Sequence, residues 1–357
     1  MKTFDLLGNT VSKLGFGAMR LPTKPDGSID QEHFNKMVAY AIDKGVNYFD
    51  TSFVYHDGNS EVALGIALEP YERSSYLLAD KMSFWSANSE EFLETSFQTS
   101  LKKLKTDYID FYLPHSLNEL TYSKAKAVHA LEWAIQKKKE GKIRYLGFSI
   151  HADYDFLLDV LKDYDWDFVQ IQLNYLDTDD NPGLKGYEEL AKRGIPVQIM
   201  EPLKGGVLTD LPDTVTAPFA KLGGSNASFA FRWLAEKPGI GVILSGMSSM
   251  EQVEANTAIF DEIAPLNDEE KAAIDQVKQN ILDSQKVGCT GCRYCMPCPV
   301  GIDIPGSFKA WNNKSMQKNS NWISSTAVDK NKIQQCVECG QCTVSYTHLD
   351  VYKRQQY

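Results

Sequence analysis

Along the first 260 residues, short apolar runs rich in β-formers alternate with longer stretches whose apolar positions recur every three or four residues. The runs are "KLGFGAM", "VNYFDTS", "YLLADKM", "YIDFYLPH", "IRYLGFSI", "DFVQIQL", "PVQIMEP" and "GIGVILSG", and each predicts a strand. Between them, "EHFNKMVAYAIDKG", "SEEFLETSFQTSLKKL" and "AKAVHALEWAIQKKKEG" predict amphipathic helices, several ending in Gly. Eight strand–helix units in about 250 residues fit an α/β chain folded as a (β/α)8 TIM barrel. The rival is an open doubly wound sheet, but no GxGxxG follows the first strand to support it.

In such a barrel, chemistry collects where the strands end at the C-terminal rim. The second strand ends at Asp50 with Tyr55 in the following loop, the third at Lys81, and the fourth delivers His115. Taken singly, each has a plain structural reading: a turn or cap Asp, a packed Tyr, a solvated Lys, a structural His. Four of them at successive rim positions point together to chemistry.

The stretch "NYFDTSFVYHDGNSEVALGIAL" resembles the Asp-Thr-x-x-x-Tyr segment of the aldo-keto reductases, with their following Ser-Glu-x-x-Leu-Gly. "GFGAMRLP", "GFSIH" and "EPLKGG" match as well, and the resemblance covers roughly residues 1–260. It implies that Asp50, Tyr55, Lys81 and His115 form a catalytic tetrad for hydride transfer between a nicotinamide, NAD(H) or NADP(H), and a small carbonyl or alcohol substrate. The alkoxide formed needs a proton. Tyrosine, with an ordinary pKa of about 10, is a poor donor unless a cation favours its phenolate. Lys81 is expected to supply that charge, Asp50 to hold Lys81, and His115 to aim the carbonyl oxygen at Tyr55.

The same resemblance implies cofactor contacts. Gly17, Met19 and Asp50 lie near the start. Ser149 and Gln170 are expected to hold the nicotinamide carboxamide, and Leu203, Gly205 and Gly206 to approach the pyrophosphate. Ser245, Gly246, Gln252 and Asn256 are expected at the adenosine end. Met200 stands where family members often stack an aromatic ring, a departure that a thioether fills with less area. Between Lys237 and Lys271 the chain has no Lys or Arg, so this window favours NAD(H) over a dinucleotide with a 2′-phosphate.

Charge and cysteine change the picture after residue 285. The net charge of −10 divides into −15 for residues 1–285 and +5 beyond. An acidic body argues against nucleic acid or an anionic membrane as partner. The basic tail is either a solvated segment or a docking surface. No secretory leader or run of about 20 apolar residues is apparent, so the cytoplasm is the expected compartment.

All seven cysteines fall in two motifs, "CTGCRYCMPCP" with Cys289, Cys292, Cys295 and Cys298, and "CVECGQC" with Cys336, Cys339 and Cys342. Structural zinc favours well-separated CxxC knuckles, whereas a CxxCxxC run closed by Cys-Pro suits an iron–sulfur cubane. The tail resembles the ferredoxin-type 4Fe–4S modules carried by one branch of aldo-keto reductases, and is expected to be small and mostly helical. One or two 4Fe–4S clusters are implied. Two cubanes take eight ligands and seven cysteines are present, which leaves the cluster of Cys289, Cys292 and Cys295 one short if Cys298 serves the other. An electron-transfer protein partner, redox sensing and a structural staple all stay open for the tail. The expected organisation is a barrel over 1–265, a closing helix and linker over 266–285, the ferredoxin-type tail over 286–343, and a truncated or spurious end over 344–357.

Overall fold

The structure is a computed structural model and describes residues 1–84, 87–284, 287, 295–315, 334–340 and 342. The chain divides into two compact units, Met1–Gly205 with Ala227–Asn267, and Gly206–Asn226 with Asp268–Tyr357.

The first unit opens with a hairpin that the sequence pattern does not announce: β1 (Thr3–Leu6) pairs antiparallel with β2 (Asn9–Ser12). Leu7 and Gly8 both have positive φ, 56° and 79°, the twist a two-residue hairpin turn requires. Eight strands then form a closed parallel barrel in the order β10-β3-β4-β5-β6-β7-β8-β9. They are β3 (Leu14–Gly17), β4 (Tyr48–Asp50), β5 (Leu77–Met82), β6 (Ile109–Pro114), β7 (Ile143–Ile150), β8 (Phe168–Gln172), β9 (Val197–Met200) and β10 (Ile240–Gly246). Each lies within one of the eight apolar runs, and the expected (β/α)8 architecture is the one observed.

Alternation along the strands divides the core in two. Leu77 and Ala79 of β5 pack inward with Tyr48, Phe111, Phe168 and Val242, while Leu78 and Met82 join the larger core beneath the helices. Leu6 and Val11 of the hairpin belong to the inner cluster. Lys81 continues the inward phase of β5, which puts a cation inside the barrel rather than at a solvated strand end.

The outer helices begin at α1 (Gln31–Asp43), capped by Asp30, whose carboxylate accepts the His33 N–H, and α2 (Ser60–Leu68). Next come α3 (Glu90–Leu104), capped by Ser89, α4 (Glu119–Ala127) and α5 (Ala130–Lys139). The expected single helix over 125–141 is broken here, because His129 adopts a left-handed backbone with φ of 52°. The unit is completed by α6 (Tyr154–Val160), α7 (Gly183–Lys192), α9 (Asn226–Ala235) and α10 (Met250–Asp261).

In the second unit α8 (Asp213–Leu222) packs with α11 (Asp268–Ser284). Ala273, Ile274, Val277 and Ile281 line the buried stripe of α11, and the Asn280 amide donates to the Val215 carbonyl at 2.9 Å. On α12 (Ile304–Ser315), Asn312 holds both backbone groups of Val287. Cys295, Ile302 and Ile304 form a small apolar cluster, joined by Met296, Cys298, Val300, Phe308 and Cys342. Among the described residues no helix is long and apolar enough to cross a membrane.

Candidate active site

Strand register sets the first two members. Asp50 ends β4, level with Gly17 of β3 and Ala79 of β5, and Lys81 lies two residues further along β5. Both are buried, at 3% and 1% exposure. The Lys81 ammonium donates to Asp50 Oδ1 and, at 2.9 Å, to the Thr51 carbonyl. Burial depresses a buried ammonium, but the charges of Asp50 and Tyr55 more than reverse this, and the Lys81 pKa is raised.

Tyr55 is positioned by a strained turn. It opens the short helical turn Tyr55–Gly58, in which His56 and Asp57 hold left-handed φ of 49° and 54°. The turn is tied down at its far end, where Lys103 donates to the Gly58 carbonyl at 2.9 Å. Ser60 donates to the Ala18 carbonyl at 2.8 Å. The Lys81 nitrogen then sits 5.1 Å from the centre of the Tyr55 ring. His115, just past β6, meets that ring edge-on at 5.6 Å. The four residues expected to act together are therefore brought together.

The electrostatics differ from expectation in one respect. Burial raises the Tyr55 pKa above its ordinary value, and Lys81, which pulls it down, only partly offsets this. The phenol is thus held protonated at neutral pH, ready to donate. His115 is pushed well below its ordinary value by burial, then by Lys81 and His151, so its imidazole is neutral. Its Nδ1 lies 3.0 Å from Ser52 Oγ. If that hydroxyl donates to Nδ1, Nε2 carries the proton and can donate to a substrate oxygen.

Around the tetrad stand residues that sequence reasoning passed over. Gln198, fully buried on β9, accepts from Gln170 Nε2 at 3.5 Å, and its own Nε2 has no hydrogen-bond partner among the described residues. His151 closes the "GFSIH" segment; burial lowers its pKa against the pull of Glu201. Behind β5, Asp80 is wholly buried, and neither carboxyl oxygen has a side-chain hydrogen-bond partner among the described residues. Its pKa is raised well above the usual carboxylate range by burial and then by Glu61. Glu61 is itself buried and paired with Lys103 at 2.9 Å. The one available signal was a charge on the outward phase of a buried strand.

The expected cofactor positions divide into an inner and an outer group. Ser149 and Gln170 are register partners, and both are buried. Ser149 Oγ accepts the Ser116 N–H at 2.7 Å, which leaves its hydroxyl proton to donate. Gln170 Nε2 donates to Asp50 Oδ2 at 3.2 Å, which leaves its carbonyl oxygen to accept. One donor and one acceptor suit a carboxamide. Gly17 and Gly246 are register partners on β3 and β10, so these two expected positions adjoin. Asn256 donates to Ser245 Oγ at 3.1 Å, and Gln252 Oε1 accepts the Ser248 N–H at 2.7 Å. Met19 is exposed, while Met200 and Leu203 are half-buried. Gly205 and Gly206 have φ of 66° and 98° in a loop where Glu201 and Lys204 are also left-handed.

Of the cysteines, Cys289 and Cys292 lie outside the described residues. Among the described residues, Cys295, Cys298, Cys336, Cys339 and Cys342 form no disulfide. Cys295, Cys298 and Cys342 share the apolar cluster of the second unit, whereas Cys336 and Cys339 are exposed. Among the described residues no group of three or more His, Cys, Asp or Glu converges as metal ligands would.

The aldo/keto reductase family model matches residues 13–279, so the chain belongs to the aldo-keto reductases, a family of oxidoreductases. A 4Fe-4S dicluster domain model matches residues 288–346, and the barrel is thus followed by an iron–sulfur domain. L-galactose dehydrogenase of Arabidopsis thaliana is 29% identical over 287 residues, spanning 73% of this chain and 88% of the relative. The NADH-specific methylglyoxal reductase of Escherichia coli is 26% identical over 306 residues, spanning 71% and 90%. An aldo-keto reductase from Bacillus halodurans in its holo form has the same fold, with a TM-score of 0.67 at 24% identity over 78% of this chain and 96% of that one. An aldo-keto reductase from Klebsiella pneumoniae in complex with NADPH also shares it, with a TM-score of 0.65 at 22% identity and the same coverage.

Proposed function

We propose that this chain transfers hydride between a nicotinamide dinucleotide and a small carbonyl or alcohol substrate, with Asp50, Tyr55, Lys81 and His115 as its catalytic residues. The observation that carries the reading is the buried Asp50–Lys81 pair set against the ring of Tyr55, with the neutral His115 at that ring's edge. When bound, the nicotinamide supplies or accepts the hydride. In the reducing direction Tyr55 Oη gives its proton to the oxygen that becomes the alcohol. Lys81 offsets the negative charge left on the phenolate, and Asp50 keeps Lys81 charged and fixed. His115 donates a hydrogen bond to the same substrate oxygen. The donor on Ser149 and the acceptor on Gln170 fit the carboxamide.

The seven cysteines fit one or two 4Fe–4S clusters, with zinc the lesser alternative. Cys295, Cys298 and Cys342 supply thiols in an apolar setting that suits a cluster. The tail then adds one-electron chemistry to a two-electron enzyme, for exchange with a protein partner or for redox sensing. Oxidation of NADPH and NADH by a panel of short aldehydes and ketones, followed at 340 nm with anaerobically purified full-length protein, tests the reading. Turnover that disappears in Tyr55→Phe supports it, and no turnover with either dinucleotide in either direction counts against it.

A further inference from the structure

The stretch from 238 to 270 holds no Lys or Arg, so by sequence alone the adenosine end of the site has no cation. Barrel closure brings one. β3 pairs with β10 so that Gly17 lies level with Gly246, and the chain leaving β3 runs directly alongside the chain leaving β10. The stem of Arg20 lies over Gly246: a Cβ added to that glycine would stand 3.4–3.5 Å from Arg20 Cβ, Cγ and Cδ. Ser248 Oγ donates to the Arg20 carbonyl at 2.9 Å, and the next residue, Leu21, donates its N–H to His56 Nε2 at 3.1 Å. The backbone around Arg20 is therefore held from two sides while the side chain is exposed.

Its guanidinium has no hydrogen-bond or ion-pair partner among the described residues. Two other cations at the rim are committed: Lys81 on β5 to Asp50, and Lys204 beyond β9 to both oxygens of Asp177. Asp177 is further engaged by Gln172 and Asn174. A phosphate monoester needs charge-assisted donors, and the planar fork of an arginine suits its oxygens better than a point charge does.

We infer that Arg20 is the residue that selects the dinucleotide: its guanidinium pairs with the 2′-phosphate of NADP(H) beside Gly246 and Ser248. This rests on the nucleotide reading above, which puts the adenosine end at Ser245, Gly246, Gln252 and Asn256. It also reverses the preference for NAD(H) that the local sequence window suggests, because the cation comes from the opposite end of the barrel sequence.

The test is fluorescence titration of the full-length protein with NADPH and NADH, for wild type, Arg20→Ala and Arg20→Lys. Wild type should bind NADPH more tightly than NADH. Arg20→Ala should weaken NADPH by about 10- to 100-fold, the usual scale for a charged hydrogen bond, and leave NADH nearly unchanged. Arg20→Lys should fall between. Two results would overturn the inference: unchanged NADPH affinity in Arg20→Ala, or equal losses for both dinucleotides, which would tie the guanidinium to a part they share. Failure of the wild type to bind either dinucleotide would bring down the nucleotide reading itself, and the role of Arg20 with it.

Discussion

Lys81→Met removes the ammonium from a site where it is 1% exposed and bonded to Asp50 and the Thr51 carbonyl. Asp50, at 3% exposure, would then retain Gln170 as its hydrogen-bond donor, at 3.2 Å. Breaking one side of a buried ion pair costs about 3–5 kcal/mol, because the remaining charge stays buried without compensation. The variant Asp50→Asn/Lys81→Met leaves no charge behind and should recover much of that loss, although both variants lack the cation that serves Tyr55. Denaturant midpoints followed by far-ultraviolet circular dichroism measure the first quantity, with the double variant lying between Lys81→Met and wild type. The pH–rate profile measures the second. Burial already raises the Tyr55 pKa, and loss of Lys81 raises it further. Any residual reduction in Lys81→Met should therefore be slow, and its alkaline limb should flatten as it moves to higher pH. The reasoning fails if Lys81→Met is as stable as wild type with an unchanged profile, or if the double variant is no more stable than the single one.

Tyr55→Phe should lower kcat at least about 100-fold while nicotinamide affinity stays nearly constant, since the proton donor is lost and little binding area with it. Near wild-type turnover would show that another group donates. Asp80→Asn should remove a pH dependence: the raised folded pKa means the native state keeps a proton that the unfolded chain releases above about pH 4. The parent therefore loses up to about 1.4 kcal/mol of stability per pH unit as pH rises from that value towards the folded pKa, and the variant should not. Parallel stability curves from pH 5 to 8 would refute it. Iron and sulfide analysis of anaerobically prepared protein should find about one firmly held 4Fe–4S cluster and one substoichiometric, oxygen-labile one, since two cubanes require eight ligands. Stoichiometric zinc without cluster absorption would replace iron with a structural staple.

What the sequence determined by itself is whatever depends on neighbours in the chain. The apolar, β-former-rich runs "YLLADKM" and its seven counterparts mark strands, and the repeat length marks a barrel, because run composition and connection length are local properties. Asp50, Tyr55, Lys81 and His115 were legible for the same reason: each stands at or just past a strand end, and in a parallel barrel all such ends share one rim. The hairpin of β1 and β2 was not legible, since each strand has only four residues and neither repeats a pattern. Nor was the break at His129, which is a matter of one residue's φ. Tertiary structure alone decided the net electrostatics of Tyr55, because burial depends on everything that surrounds the ring. It also decided the neutral Asp80 and its neighbour Glu61, and the approach of Arg20 to Gly246. That last contact joins residues more than two hundred positions apart through one strand pairing, the one that closes the barrel.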